Sequence, residues 1–320
     1  MDTNKNFADR LISAIDEKKN PSAAGLDPAI ENLPPHILSR YRLSGRGGQL
    51  EAASEAVLEF NKGIIDSVHD IVPCVKLQIA YYEQLGPDGI NVFLETSEYA
   101  KSKGLIVIGD VKRNDIGSTC SAYSNAYLGR VSIFGVKTPV FDVDAITVNS
   151  YLGYEGIEPF IKDCEEYGKG IFILVKTSNK GSEEFQNINT ESGPNYSVMG
   201  SLVVKWGESL IGKNSYSSTG AVVGATFPSE AQLLRQQMKK TIFLVPGYGA
   251  QGGGISDIMN CFNPDGCGAL INSSRSIIFA YMKYKDSINY QKYAREEALR
   301  MKKEITEALL KNKICRWQQG

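Results

Sequence analysis

Residues Leu105–Thr119, LIVIGDVKRNDIGST, join an apolar run directly to a cluster of charges. A short run rich in β-branched residues predicts a strand buried on both faces, as in a parallel sheet covered by helices. Besides Leu105–Val111, seven runs of the same kind follow one another along the chain: Ser22–Leu26, Val72–Leu77, Ala145–Val148, Ile171–Lys176, Ala221–Gly224, Ile242–Val245 and Gly268–Ile271. Between them, Glu51–Val68, Val92–Ser102, Gly156–Tyr167, Val198–Leu210 and Glu230–Met238 return apolar residues every three or four positions. That is the period of a helix lying on a sheet. A last helix is expected over about Tyr290–Lys311. Eight strand–helix units predict an α/β fold, a single-domain (β/α)8 TIM barrel over residues 1–320, with barrel strands from about residue 22 to 271. An open doubly wound sheet is the alternative that the count leaves.

Composition narrows the function classes. The chain has 320 residues, 42% of them hydrophobic, enough for a large core. Its 35 Lys and Arg balance 36 Asp and Glu, so no global field favours nucleic acid or an anionic membrane. A bound anion must therefore be held by a local constellation. The opening MDTNKNFADRLISAIDEKK is charged throughout and lacks the apolar stretch of a signal peptide. Six scattered cysteines without CxxC spacing, and only two histidines, His36 and His69, argue against a zinc site and for reduced thiols. A soluble cytoplasmic protein is expected, with no membrane or nucleic-acid partner and no metal.

Two polar excursions, Pro28–Gly48 and Lys180–Tyr196, interrupt the pattern. Both follow the C-terminal end of a strand, the face on which barrel enzymes carry their chemistry. His36 is placed in the first of them and His69 in a helix, neither beside a Ser or Cys nucleophile.

The strand ends carry charges where a core should be. In extended chain Asp110 and Lys112 lie two apart and point to the same face. Lys76 stands near the end of the second run and Asp27 directly after the first, so four charges converge on one barrel mouth, and Asp115 follows three residues after Lys112. Buried ions are costly unless paired, so such an array means either mutual neutralisation or work on a substrate.

The segment DVKRNDIGST is similar to the DxKxxDI signature of orotidine 5′-phosphate decarboxylases. GLDP at Gly25, VKLQIAYYE at Val75, VKTSNKG at Val175, PGYGAQGG at Pro246 and INSSRSI at Ile271 resemble further blocks of that family, in its order. The likeness runs roughly from Ala24 to Ile278 and is to the longer form of the enzyme. DxKxxD alone is shared with related phosphosugar decarboxylases; the ordered set is the specific signal. The resemblance implies a decarboxylase working without cofactor or metal on orotidine 5′-monophosphate in pyrimidine synthesis. It assigns proton donation to Lys112 and a place beside the departing carboxylate to Asp110. Asp27 and Lys76 would hold the ribose hydroxyls, and Ser178, with Thr177 nearby, would meet the pyrimidine. Asp115, Ile116 and Thr119 would reach the neighbouring subunit's site, which makes the working unit a homodimer.

The residue types suit that chemistry. Carbon dioxide leaving a pyrimidine carbon strands an electron pair that the ring delocalises poorly. Without an electron-sink cofactor, a preorganised ammonium must meet the charge. Lysine offers a compact charge with transferable protons, whereas arginine holds its proton too tightly.

The last two runs end in TIFLVPGYGAQGGG and GALINSSRSI. Loops after the final strands of barrels commonly bind phosphate through backbone N–H groups. Gly247, Gly249, Gly252, Gly253 and Gly254 would let the backbone approach closely, and Arg275 can fork onto phosphate. The resemblance assigns phosphate contact to Gln251 and Arg275, with the backbone of Ser274. Gly247, Gly249 and Gly252 also spell GxGxxG, yet a dinucleotide fold needs that motif in its first βαβ unit, and here only one strand follows it. The alternatives kept open are a metal-dependent phosphosugar decarboxylase on the same barrel and a non-catalytic nucleotide-binding barrel.

Overall fold

All eight apolar runs become strands of one closed parallel barrel in the computed structural model, which describes residues 6–44, 48–249 and 252–317. The strands are β1 (Ser22–Leu26), β2 (Cys74–Gln78), β3 (Ile106–Arg113), β4 (Ala145–Val148), β5 (Gly170–Lys176), β6 (Ser217–Val223), β7 (Thr241–Val245) and β8 (Ala269–Ser273). Each pairs with its neighbours in sequence, and β1 closes the ring against β8 with Ser22 opposite Ile271. A closed parallel sheet has no free edge and buries both faces, so these strands read as apolar runs without alternation. The open-sheet alternative is thereby removed.

The helices lie outside the ring. Gln49–Val68, Gly86–Ser102, Glu158–Tyr167, Asn195–Trp206, Pro228–Gln237 and Tyr290–Lys311 match the periodic stretches, with ends shifted by a few residues. Between β3 and β4 stand elements that the periodicity did not reveal, the helix Gly117–Tyr127 and a hairpin pairing Val131–Ile133 with Val136–Thr138. The reason is composition: that helix, GSTCSAYSNAY, buries Cys120, Ser124 and Tyr127 at i, i+4 and i+7 but offers no large aliphatic stripe. The excursion Pro28–Gly48 contains a helix, Pro35–Ser44, so His36 is helical rather than in a loop, while His69 caps the end of Gln49–Val68.

The floor of the barrel comes from the charged N-terminal segment. Phe7–Lys18 forms a helix whose N-cap, Asn6, accepts the N–H groups of Ala8 and Asp9. Its stripe of Phe7, Leu11, Ile12 and Ile15 is buried against the barrel interior, in one cluster with Ile106, Ile108, Phe172, Ile242 and Leu270. Phe7 meets Phe172 edge to face at 5.9 Å, and Gly170 makes room, because a Cβ there would lie 2.2 Å from the Phe7 ring. The charges face outward or pair, as Arg10 does with Asp144 at 2.6 Å. Among the described residues no helix is long and apolar enough to cross a membrane.

Phe7→Ala should cost about 3–5 kcal/mol of stability through the cavity it leaves. Urea unfolding checks this, and an unchanged midpoint would mean that the helix does not close the barrel.

Candidate active site

A cavity of about 320 Å3 opens at the C-terminal end of the barrel. Its charged side is built on a contiguous arc of strands. Asp27 directly follows β1, Lys76 and Gln78 come from β2, Asp110 and Lys112 from β3, and Thr147 from β4. Asp110 is only 8% exposed, and its carboxylate accepts hydrogen bonds from four side chains. Lys76 Nζ donates to its Oδ2 at 2.8 Å and Gln78 Nε2 to the same oxygen at 3.0 Å. Lys112 Nζ donates to Oδ1 at 2.6 Å, and Thr147 Oγ1 donates to it at 2.9 Å. Burial alone would raise the Asp110 pKa; the two ammoniums outweigh it and hold the carboxyl below the ordinary carboxylate range. Burial would likewise strip Lys76 of its proton, but Asp110 and Asp27 keep it charged and raise its pKa.

Lys112 does not continue the strand as a simple alternation would have it. Its φ is +46°, in the left-handed region, which costs a residue with a Cβ of order 1–3 kcal/mol. The cause is a register shift. Gly109 pairs with Ile146 and Arg113 with Val148, so four steps along β3 answer two along β4. Such bulges re-aim side chains at barrel rims. Here the shift leaves Asp110 buried and brings the Lys112 ammonium back over it, half-exposed at the mouth. Thr147 stands opposite the bulge: its oxygen accepts the Lys112 N–H at 3.0 Å while its hydroxyl proton goes to Asp110. One hydroxyl therefore braces both the strained backbone and the carboxylate.

The opposite side is different in kind. Leu174, Val222 and Leu244, from β5, β6 and β7, give the cavity an apolar wall. Above it lie Thr177, Ser178, Asn272, Ser274 and Arg275. Arg275 is exposed, with no hydrogen-bonding or ion-pairing partner among the described residues. The corner that carries it packs tightly on β1, since a Cβ on Gly25 would lie 1.9 Å from Ser274 Oγ. Two residues that line the cavity, Asp27 and Asn272, each keep a buried Oδ1 with no hydrogen-bond donor among the described residues. Asp27 Oδ1 lies 3.6 Å from Lys76 Nζ, beyond a hydrogen bond.

The glycine loop corrects one expectation. Gly247, Gly249 and Gly252 all take positive φ, but the N–H groups of Gly249, Gly252 and Gly253 bond to carbonyls of the same loop. The Gly254 N–H goes to Asp257. These amides fold the loop onto itself instead of presenting themselves to a ligand, and of the five glycines only Gly247 lines the cavity. Gln251 lies outside the described residues.

Of the residues singled out in the sequence, Asp27, Lys76, Asp110, Lys112, Thr177, Ser178, Ser274 and Arg275 meet in this one cavity. Asp115, Ile116 and Thr119 do not line it within one chain. Asp115 accepts the Ile116 N–H at 2.8 Å, and Ile116 and Thr119 are exposed on the rim. Sequence reasoning missed Thr147 and Asn272, and it did not give Gln78 its place on Asp110. The available signal was a polar residue within or at the end of an apolar run, in ITVN, ALIN and VKLQ. Among the described residues no group of three His, Cys, Asp or Glu side chains could hold a metal ion.

A barrel with alternating ammoniums and carboxylates at one side of its mouth, and an unpaired guanidinium at the other, defines a catalyst for a small anionic molecule. A model of the orotidine 5′-phosphate decarboxylase / HUMPS family matches residues 53–285, and the chain belongs to that family. It is 42% identical over 304 residues to the orotidine 5′-phosphate decarboxylase of Caldicellulosiruptor bescii, covering 95% of this chain and 99% of that one. It is 40% identical to that of Rhodopirellula baltica, covering 93% and 98%. Among solved structures, a Toxoplasma gondii protein provisionally assigned as an orotidine monophosphate decarboxylase superposes with a TM-score of 0.78 at 26% identity, over 98% of this chain and 99% of that one. Leishmania donovani UMP synthase gives 0.72 at 26% identity, over 97% of this chain and 57% of the synthase.

Thr147→Val keeps the shape but removes the shared hydroxyl. Turnover should fall roughly tenfold and stability by about 1 kcal/mol, the worth of a buried hydrogen bond. Steady-state kinetics with urea unfolding checks both, and unchanged turnover would show that the bulge holds Lys112 without help.

Proposed function

We propose that this chain converts orotidine 5′-monophosphate to uridine 5′-monophosphate, with Lys112 protonating C6 as carbon dioxide leaves. The observation that carries the reading is the buried Asp110 carboxylate fixed between two ammoniums at the mouth of the barrel. The bond from C6 to the substrate carboxylate breaks, its electron pair stays on C6, and carbon dioxide departs. The Lys112 ammonium gives a proton to that carbon and is left as an amine, which regains a proton from water. An ammonium held in place before substrate arrives needs no reorganisation when the charge appears. Asp110 stands where the substrate carboxylate would come, and it keeps Lys112 aimed.

The other contacts suit the rest of the nucleotide. The unsatisfied Asp27 oxygen, beside Lys76, can accept a ribose hydroxyl. Thr177 and Ser178 sit where the pyrimidine would rest over the apolar wall. Arg275, with Ser274 and Gln251, would take the phosphate as a forked pair. The β2 residues beside Asp110 are Lys76 and Gln78, both of which donate to it, where a divalent ion would call for a further carboxylate. That donor set supports the metal-free reading over a metal-dependent phosphosugar decarboxylase.

The same reading makes the working unit a homodimer, with Asp115, Ile116 and Thr119 reaching into the partner's site. The exposure of Ile116 and Thr119, beside a half-exposed Lys112, fits a surface that a second copy covers. All 320 residues would act as one barrel unit in the cytoplasm.

An ultraviolet assay with orotidine 5′-monophosphate and excess chelator tests the activity. Turnover should be indifferent to chelator, and Lys112→Ala should lower it by about 10³-fold or more while nucleotide still binds. Equal turnover in the variant would remove Lys112 from the chemistry. For the shared site, equal parts of Asp115→Ala and Lys112→Ala subunits should recover about a quarter of the wild-type activity, because half the dimers are mixed and each mixed dimer rebuilds one complete site. Confirmed mixed dimers without recovery would refute the sharing.

A further inference from the structure

Lys176, the last residue of β5, is 0% exposed, and no described carboxylate lies within ion-pairing distance of its Nζ. A buried ammonium without a counter-ion is expensive, so what satisfies it matters. Nζ donates to Asn187 Oδ1 at 2.8 Å and to Ser182 Oγ at 3.2 Å. It also lies 4.1 Å from the centre of the Phe227 ring and 5.7 Å from that of Tyr196, within cation–π range. Both polar acceptors, and Tyr196, belong to the excursion Lys180–Tyr196. Phe227 lies outside it, but both hydrogen bonds of the ammonium last only while that excursion is docked on the barrel. Burial lowers the Lys176 pKa, and Glu230 and Glu183 oppose the shift only from a distance.

The docked excursion grips the residues that follow Lys176. Gln186 Oε1 accepts the Thr177 N–H at 2.9 Å, and Gln186 Nε2 donates to Thr177 Oγ1 at 2.8 Å. From the other flank, Thr226 Oγ1 donates to the Ser178 carbonyl at 3.0 Å. Gly224 packs so closely on this segment that a Cβ there would lie 2.8 Å from Ser178 Cα. Ser178 thus has little freedom of its own, and its position is set by neighbours on both sides.

We propose that Lys176 is a positioning residue for pyrimidine recognition: its uncompensated ammonium pins the Lys180–Tyr196 excursion, which in turn fixes Thr177 and Ser178 against the cavity. The inference rests on the reading that Ser178 meets the base. Lys176 does not line the cavity, so any effect on a ligand passes through its neighbours. Its effect should fall on the part of the affinity that depends on the base, and leave the phosphate end alone.

The test is to titrate wild type, Ser178→Ala, Lys176→Met and Asn187→Ala with uridine 5′-monophosphate and with ribose 5-phosphate, and to take the ratio of the two affinities. The two ligands share ribose and phosphate, so general loosening of the barrel weakens both and leaves the ratio alone. The ratio should drop roughly tenfold to hundredfold in Lys176→Met, the scale of losing hydrogen bonds to a charged group. It should drop in the same direction in Asn187→Ala, with ribose 5-phosphate binding near wild type. Asn187 lies on the excursion, so its variant decides the matter if Lys176→Met does not fold. A ratio lowered by Ser178→Ala but unmoved by Asn187→Ala or a folded Lys176→Met overturns the role of Lys176. A ratio unmoved by Ser178→Ala overturns the base contact itself, and this inference with it.

Discussion

The carboxylate of Asp110 could not stay ionised in so enclosed a place without the two ammoniums that grip it, one on each oxygen. Removing either lysine would leave the buried Asp110 carboxylate short of compensating charge, where a broken pair costs far more than a surface pair is worth. The constraint also runs outward. Lys76 stands on β2, Asp110 and Lys112 on β3, and Thr147 on β4, so the pairing holds only if three adjacent strands keep their register. The barrel closes around that alignment, and the N-terminal helix and the outer helices keep it closed.

The cavity divides along the ring of strands. The arc from β1 to β4 is charged, close to neutral overall and tied internally. The arc from β5 to β8 supplies an apolar wall with polar groups at its edge. A ligand whose reacting centre is anionic and whose far end carries phosphate can lie across both. The apolar wall lowers the local dielectric, which strengthens every charge–charge term at the other side. A neutral array can persist in the empty site, whereas lysines alone would repel one another.

Most of this was legible in the residues. The eight runs were apolar because a parallel barrel hides both faces of every strand, and the charges at their ends stood out against that background. What sequence could not supply was the bulge. Nothing in GDVKRND announces that four residues of β3 answer two of β4, since register is fixed between strands and not within one. Thr147 escaped notice for the same reason: a threonine inside ITV is an ordinary strand former until the bulge places a strained lysine opposite it. The helix Gly117–Tyr127 was hidden by its small polar residues. Phe7–Lys18 was masked by its charges, although its apolar stripe recurs at helical spacing. The glycines after β7 were read as open to phosphate, yet a backbone amide serves a ligand only if its own loop leaves it free.

The helix that stoppers the lower end of the barrel has a bearing on traffic. With Phe7 wedged against Phe172 and the interior filled below Leu174, Val222 and Leu244, the described residues close the chamber from beneath and leave it open at the upper rim. On the proposed reading, nucleotide would enter, and carbon dioxide and displaced water would leave, through that same rim. The order of departures would then be a matter of size: a small neutral molecule could slip past a seated nucleotide, which would itself stay until the rim let it go.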